Sequence, residues 1–299
     1  MKIGLLTSVD TRHRYFAQRL CKQFDVVAVG YEAMGYDPAG IVSRDLTSDE
    51  ADVVRRHFEE RARQELAYFG HDSAFIAPST AHAVSTIQPG RLNSPETLAL
   101  LQSRGVDTLV VYGTNLLKPP LLDAFAGRMV NLHLGLSPYY RGTATNFYPL
   151  LNEEPQYVGA TIHLIDAGID TGPIVRHARP TITAGDAPHT LGCKAILAGI
   201  EAMIATLHDL QDGRVHSTPQ WRPKNARLYL RKDYHPRQVV ELYRKWDHGL
   251  IERYLERLRR GEATVRLIDG PSDHAAPGGA LSAGSASRAY PAQVSRSPA

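Results

Sequence analysis

An α/β fold built on an open, mostly parallel, Rossmann-like sheet is predicted by three features of the sequence. A short apolar run at residues 3–6 is followed by a helical pattern at 14–24, where Phe16, Leu20 and Phe24 share one face. Further apolar runs at 25–31, 106–112 and 130–134 recur with helical stretches between them. Strands that alternate with helical crossovers build parallel sheets, whose ligands bind beyond the carboxyl ends of the strands.

Taken in order, residues 3–6 are wholly apolar, as a strand buried on both faces must be. Residues 25–31 are rich in valine, and Ser48-Asp49-Glu50 reads as a capping signal for a charged amphipathic helix over 49–69. The most strand-like run, 106–112, ends at Gly113, and 119–125 makes a short helix before the strand 130–134. Because strand side chains alternate, Asn131 and His133 fall on one face of that strand. Residues 158–165 alternate and pair with 174–182, and the loop between them carries Asp170.

A run rich in Ala, Leu and Ile at 189–210 is a long helix that closes a first domain of residues 1–213. A small accessory region, 214–270, follows. It opens with an irregular basic stretch at 221–231 that holds a short strand, and continues at 236–259 with helical packing through Val239, Val240, Tyr243, Leu250, Ile251, Tyr254 and Leu255. Residues 271–299 turn to Ala, Ser, Gly and Pro and are expected to form a disordered tail.

A chain of 299 residues that is 43% hydrophobic can bury a sizeable core. The net charge of +3 is spread along the chain with no dense basic stripe, so composition does not indicate nucleic acid; a phosphate-bearing small molecule accounts for the basic pI equally well. Cys21 and Cys193 lack metal-ligand spacing and fit core filling in a reducing compartment. The first apolar run turns polar at Thr7-Ser8, too early for a signal peptide, and no run is read as reaching bilayer length. A soluble, cytoplasmic protein with no membrane association is expected.

Chemistry concentrates in three motifs: Asn131-Leu132-His133, then Ser137-Pro138-Tyr139-Tyr140-Arg141-Gly142, then Asp166-Ala167-Gly168-Ile169-Asp170-Thr171-Gly172. An amide can donate to a developing oxyanion, a neutral imidazole can accept a proton near pH 7, and a carboxylate can balance the imidazolium charge. That set suits transfer of an acyl group to an amine. Together the motifs resemble those of the formyltransferases that use 10-formyltetrahydrofolate, over roughly the first two thirds of the chain.

The resemblance implies Asn131, His133 and Asp170 as the catalytic residues and 10-formyltetrahydrofolate as co-substrate. It implies a folate pocket drawn from Tyr112, Thr114, Leu116 and Leu117 on one side and Asp166, Ala167, Gly168 and Ile169 on the other. Tyr139, Tyr140 and Arg141 are then expected to shape the acceptor pocket. The chain departs from the commoner family pattern at Leu134 and Gly135, which follow the histidine.

The same residues also admit rival chemistry. His133, His163, Asp166 and Asp170 form a nitrogen and oxygen set a metal could use, but metal-site spacing such as His-Glu-x-x-His is missing, so no metal is expected and His163 is read as structural. Residues 7–14 hold no glycine-rich loop, which argues against a nicotinamide enzyme and weakens the glycinamide ribonucleotide branch of the family. Arg12, His13 and Arg14 at a helix start can bind a phosphate, although an exposed basic turn explains them as well.

Residues 214–270 do not read as the β-barrel that the methionyl-tRNA branch carries. The segment 228–234, ahead of a helix with Tyr243 and Trp246, is similar to the tail of the sugar N-formyltransferase branch. The expected acceptor is therefore a dTDP- or UDP-linked amino sugar, with methionyl-tRNA or another small amine as alternatives and a homodimer as the candidate assembly. The reading from another class is a folate or nucleotide binding module without turnover.

Overall fold

The computed structural model describes residues 1–33 and 45–270, so the expected tail at 271–299 lies outside the described residues. The strands are β1 (Ile3–Ser8), β2 (Val26–Glu32), β3 (Ala83–Ile87), β4 (Thr108–Tyr112), β5 (Met129–His133), β6 (Tyr140–Gly142), β7 (Ala160–Leu164), β8 (Ile174–Ala178) and β9 (Arg227–Tyr229). Seven of them form one sheet in the order β3-β2-β1-β4-β5-β7-β8, and β6 pairs with β9. The pairs from β3 to β5 are parallel, while β5–β7 and β7–β8 are antiparallel. The sheet is therefore mixed but mostly parallel, as the sequence predicts.

Alternation sends neighbouring side chains to opposite faces and creates two apolar layers. Leu5, Val130, Leu132 and Ile162 join α1 (Thr11–Cys21), α2 (Ser48–Phe69) and α6 (Pro188–Gln211) through Phe16, Phe69, Ile200, Met203 and Leu207. Leu6, Leu109, Val111 and Met129 meet α3 (Pro95–Ser103) and α4 (Leu121–Ala124) through Leu101 and Leu121. Each fully buried Leu or Ile side chain contributes about 2 kcal/mol relative to exposure.

The cap of α2 sits one residue earlier than the sequence signal. The Thr47 side chain accepts from Glu50 N–H, and Glu50 returns a bond to the Thr47 N–H. The expectation that no segment reaches bilayer length needs correction at α6, which has 24 residues and is long and apolar enough, by length and composition, to span one. In the fold, this helix lays Leu191, Ile196, Ile200, Met203 and Leu207, all buried, against its neighbours.

A third apolar cluster joins the loop after β5 to the residues that follow α6. Leu136, Tyr139, Tyr140 and Tyr157 pack with Tyr148 and Leu150 of α5 (Tyr148–Leu151), Leu242 of α7 (Arg237–Asp247) and Leu250, Ile251 and Tyr254 of α8 (Leu250–Arg259). The outer edge of β8 is covered in the same way: His177 N–H donates to Ile268 O at 2.8 Å, and Ile268 N–H donates to His177 Nδ1 at 2.9 Å. A covered edge cannot template pairing with another chain.

Candidate active site

Register decides which polar groups meet. In the antiparallel β5–β7 pair, Asn131 stands opposite His163 and His133 opposite Thr161, so all four side chains share one face. Val130 and Leu132 turn into the core beneath α6, leaving Asn131 and His133 near the carboxyl end of β5. The switch in strand order falls between β1 and β4, where an open α/β sheet opens its ligand crevice.

Loop chemistry completes the cluster. Thr161 Oγ1 donates to Gly135 O at 2.6 Å and accepts from Ser137 N–H at 2.9 Å, pinning the turn after β5. A Cβ at Gly135 would stand 2.7 Å from His133 Nε2, so a glycine is needed where the chain departs from the family pattern. Asp170 adopts a left-handed conformation, φ 49°, which a short polar residue tolerates better than most. Gln220 Nε2 holds that turn by donating to Asp170 O at 2.7 Å and Gly172 O at 2.8 Å.

Asp170 Oδ2 lies 3.4 Å from His133 Nδ1, and its Oδ1 lies 3.6 Å from His163 Nε2. Gly142 N–H donates to Asp170 Oδ2 at 2.9 Å. Burial opposes ionisation of Asp170, but His133, His163 and the Gly142 N–H outweigh it and hold the carboxyl well below the usual range. For His133 burial dominates and lowers its pKa below the ordinary 6.5, with Asp170 opposing and His163 and Arg141 adding to the fall. The resting pair is an aspartate beside a neutral imidazole.

Acceptor groups assign the tautomers. His133 Nε2 donates to Tyr140 O at 3.1 Å, the hydrogen bond its ring makes, while Nδ1 lies 3.4 Å from Asp170 Oδ2, whose charge favours proton uptake there. His163 Nδ1 faces Leu164 O at 2.7 Å and donates there; its Nε2 accepts from Asn131 Nδ2 at 3.0 Å. One N–H of the Asn131 amide is thus fixed, and the other is free to donate elsewhere.

The structure brings together Asn131, His133 and Asp170, and adds His163, which sequence reasoning treated as structural. Alternation along β7 is visible in the sequence, but the register that sets His163 against Asn131 is not. Gln220 has no local signal, since it reaches the loop across 50 residues of chain.

Two expected acceptor residues and one expected folate residue have buried side chains. Tyr139 and Tyr140 are buried in the third apolar cluster, and the Tyr140 hydroxyl donates to Glu154; only its carbonyl reaches His133. The Tyr112 ring is buried beneath α1, 4.3 Å from the His13 ring and 5.2 Å from Phe16. Aromatic bodies of this size stabilise more by filling a core than by lining water. Arg141, in contrast, lines a cavity of about 500 Å3.

The remaining folate candidates stay accessible. Leu116 is 53% exposed, Asp166, Ala167 and Gly168 are exposed, and Thr114, Leu117 and Ile169 are half-buried. Asp166 Oδ1 shapes its loop by accepting from Gly168 N–H at 3.0 Å and Thr171 Oγ1–H at 2.6 Å. Leu116 also lines a cavity of about 310 Å3 with Glu32, Asn93, Asn115 and Lys118. Of the basic turn at the start of α1, Arg12 pairs with Glu65 at 2.8 Å and Asp10 at 2.9 Å, His13 is buried, and Arg14 lies over the Phe75 ring at 4.8 Å. Among the described residues, no group of three or more His, Cys, Asp or Glu side chains is placed to hold a metal.

A mostly parallel sheet with an amide, an imidazole and a carboxylate gathered at the end of one strand defines a group-transfer class of protein. The sequence profile of the family described as "Formyl transferase" matches residues 42–207, more than half of the chain, and the chain belongs to that family. It is 35% identical over 159 residues to the methionyl-tRNA formyltransferase of Synechococcus sp. (strain JA-3-3Ab), covering 52% of this chain and 49% of that protein. It is 28% identical over 219 residues to that of Corynebacterium efficiens, covering 69% of each.

The chain spans about half the length of most of the curated relatives it matches. Among solved structures, a phosphoribosylglycinamide formyltransferase from Anaplasma phagocytophilum aligns with a TM-score of 0.51 at 12% identity, covering 77% of this chain and 97% of that one. A sugar N-formyltransferase from Shewanella sp. FDAARGOS_354 aligns with a TM-score of 0.51 at 18% identity, covering 82% and 87%. At these identities the two structures establish a common fold.

Proposed function

We propose that the protein transfers a formyl group from 10-formyltetrahydrofolate to the amine of a nucleotide-linked amino sugar. The observation that carries formyl transfer is the buried contact of His133 Nδ1 with Asp170 Oδ2 at 3.4 Å, beside an amide with a free N–H, in a chain of the formyl transferase family. The folate supplies the activated formyl carbon. Its flat ring suits the accessible segments 114–117 and 166–169, where backbone polar groups and Leu116 provide an edge and an apolar face.

Within this reading the free N–H of Asn131 donates to the formyl oxygen as negative charge grows on it. The His133 Nδ1 lone pair receives the proton released as the amine bonds to the formyl carbon, and Asp170 balances the imidazolium so formed. The same Nδ1–H is the proton available to the departing folate nitrogen as its bond to carbon breaks, which returns the ring to its neutral state. His163 acts through Asn131, holding the amide by the bond at 3.0 Å.

The amino-sugar acceptor is supported by the helical packing of residues 237–259, which form α7 and α8 against the main body. The names of the curated relatives favour a second reading, methionyl-tRNA. Incubation with 10-formyltetrahydrofolate and, separately, a panel of UDP- and dTDP-amino sugars or charged methionyl-tRNA separates the two. Tetrahydrofolate release dependent on a nucleotide sugar is expected. Release only with the tRNA would replace the acceptor, and folate binding without release in any arm would leave a binding module.

A further inference from the structure

The cavity that Arg141 lines has an unbalanced composition. Its walls include Pro138, Arg141, Thr171, Gln220, Trp221 and Arg222, with two guanidinium groups and no carboxylate. Neither Arg141 nor Arg222 forms an ion pair among the described residues, and Arg141 Nε and Gln220 Oε1 are buried without a hydrogen-bond partner. Two other arginines that face enclosed space meet carboxylates there: Arg12 lies 2.8 Å from Glu65, and Arg176 lies 2.8 Å from Asp209. Arg141 is half-buried and Arg222 is exposed at the cavity rim; a partly desolvated guanidinium without an anion is costly, and a planar guanidinium recognises phosphate oxygens in pairs.

We propose that this cavity is an anion subsite that receives the phosphate groups of the acceptor, with Arg141 and Arg222 as their ligands and Trp221 and Pro138 as an apolar wall. Assignment to the acceptor rests on the reading above; selectivity for an anion does not. Thr171 adjoins Asp170, and Arg141 lies close enough to depress the His133 pKa, so a ligand here reaches the catalytic cluster. The carboxylates of a folate tail share the charge of phosphate. However, none of the residues expected to hold the folate is among those bounding this cavity. A volume of 500 Å3 also suits a ligand larger than a single phosphate.

Trp246→Phe leaves Trp221 as the single tryptophan of the two in the sequence, so ligands can be followed by its fluorescence without turnover. Titration with UDP, dTDP, inorganic pyrophosphate, uridine and p-aminobenzoylglutamate is the test. The diphosphates are expected to bind roughly tenfold or more tighter than uridine, and Arg222→Gln to remove that advantage while Arg222→Lys restores part of it. Raising salt should weaken the diphosphates selectively.

Equal binding of UDP to the parent and to Arg222→Gln, no diphosphate binding, or preferential binding of p-aminobenzoylglutamate would overturn the subsite. Diphosphate binding without any formyl transfer would keep the anion site and remove the formyl-acceptor reading. Formyl transfer to a nucleotide sugar with an acceptor KM unchanged in Arg222→Gln would do the reverse.

Discussion

At the scale of single residues, the site depends on one proton having a defined place. His133 must be neutral to accept it, and burial already favours that form. Because the folded pKa lies below 6.5, kcat/KM is expected to stay level through neutral pH and to fall only as acid protonates His133, with a midpoint under that value in a pH–rate profile. Asp170→Asn removes the charge that balances the imidazolium, and a drop in kcat of roughly 10²- to 10⁴-fold with little change in folate KM is expected from steady-state kinetics. His163→Ala should lower kcat less, since it loosens Asn131 without removing it. Equal losses from His163→Ala and Asn131→Ala would give His163 a more direct part.

At the scale of elements, the main strands and the three motifs were legible because buried parallel strands announce themselves as apolar runs and the motif residues sit at their ends. β3 and α3 are less legible. β3 is a half-buried edge strand of mixed composition, and α3 is short, although Ser94 caps it and Pro95 opens it in a pattern that can be read. The register that sets Asn131 against His163 and the reach of Gln220 to the Asp170 loop are long-range facts that no local pattern encodes. The same holds for Tyr139 and Tyr140, whose partners Tyr254 and Leu242 lie about a hundred residues away in α8 and α7. Gly142 joins these levels: at φ 93° in β6, a Cβ there would come 1.9 Å from Tyr229 O of β9. Gly142→Ala is expected to cost about 2 kcal/mol or more in chemical denaturation and to displace the N–H that holds Asp170.

At the scale of the whole molecule, buried neutral histidines tie separate elements together. The Tyr243 hydroxyl of α7 lies 3.3 Å from His57 Nδ1 of α2 and 3.3 Å from His189 Nε2 of α6. Burial pushes His57 down to about 3, and His177 and His189 down to about 4. Each folded pKa is below the unfolded value of 6.5, so the unfolded chain binds protons first as pH falls. Stability from these groups is complete above pH 6.5 and is lost progressively as pH falls toward 4. Thermal unfolding should show Tm decreasing across that window, and a Tm that stayed level would show that these rings are not held neutral.

The most direct test of the catalytic assignment is single-turnover release of tetrahydrofolate from 10-formyltetrahydrofolate in the presence of a productive acceptor, compared between the parent protein and His133→Gln. Slowing of roughly 10²-fold or more, with folate binding retained, is the expected result. An unchanged rate in His133→Gln would contradict the role of the His133–Asp170 pair.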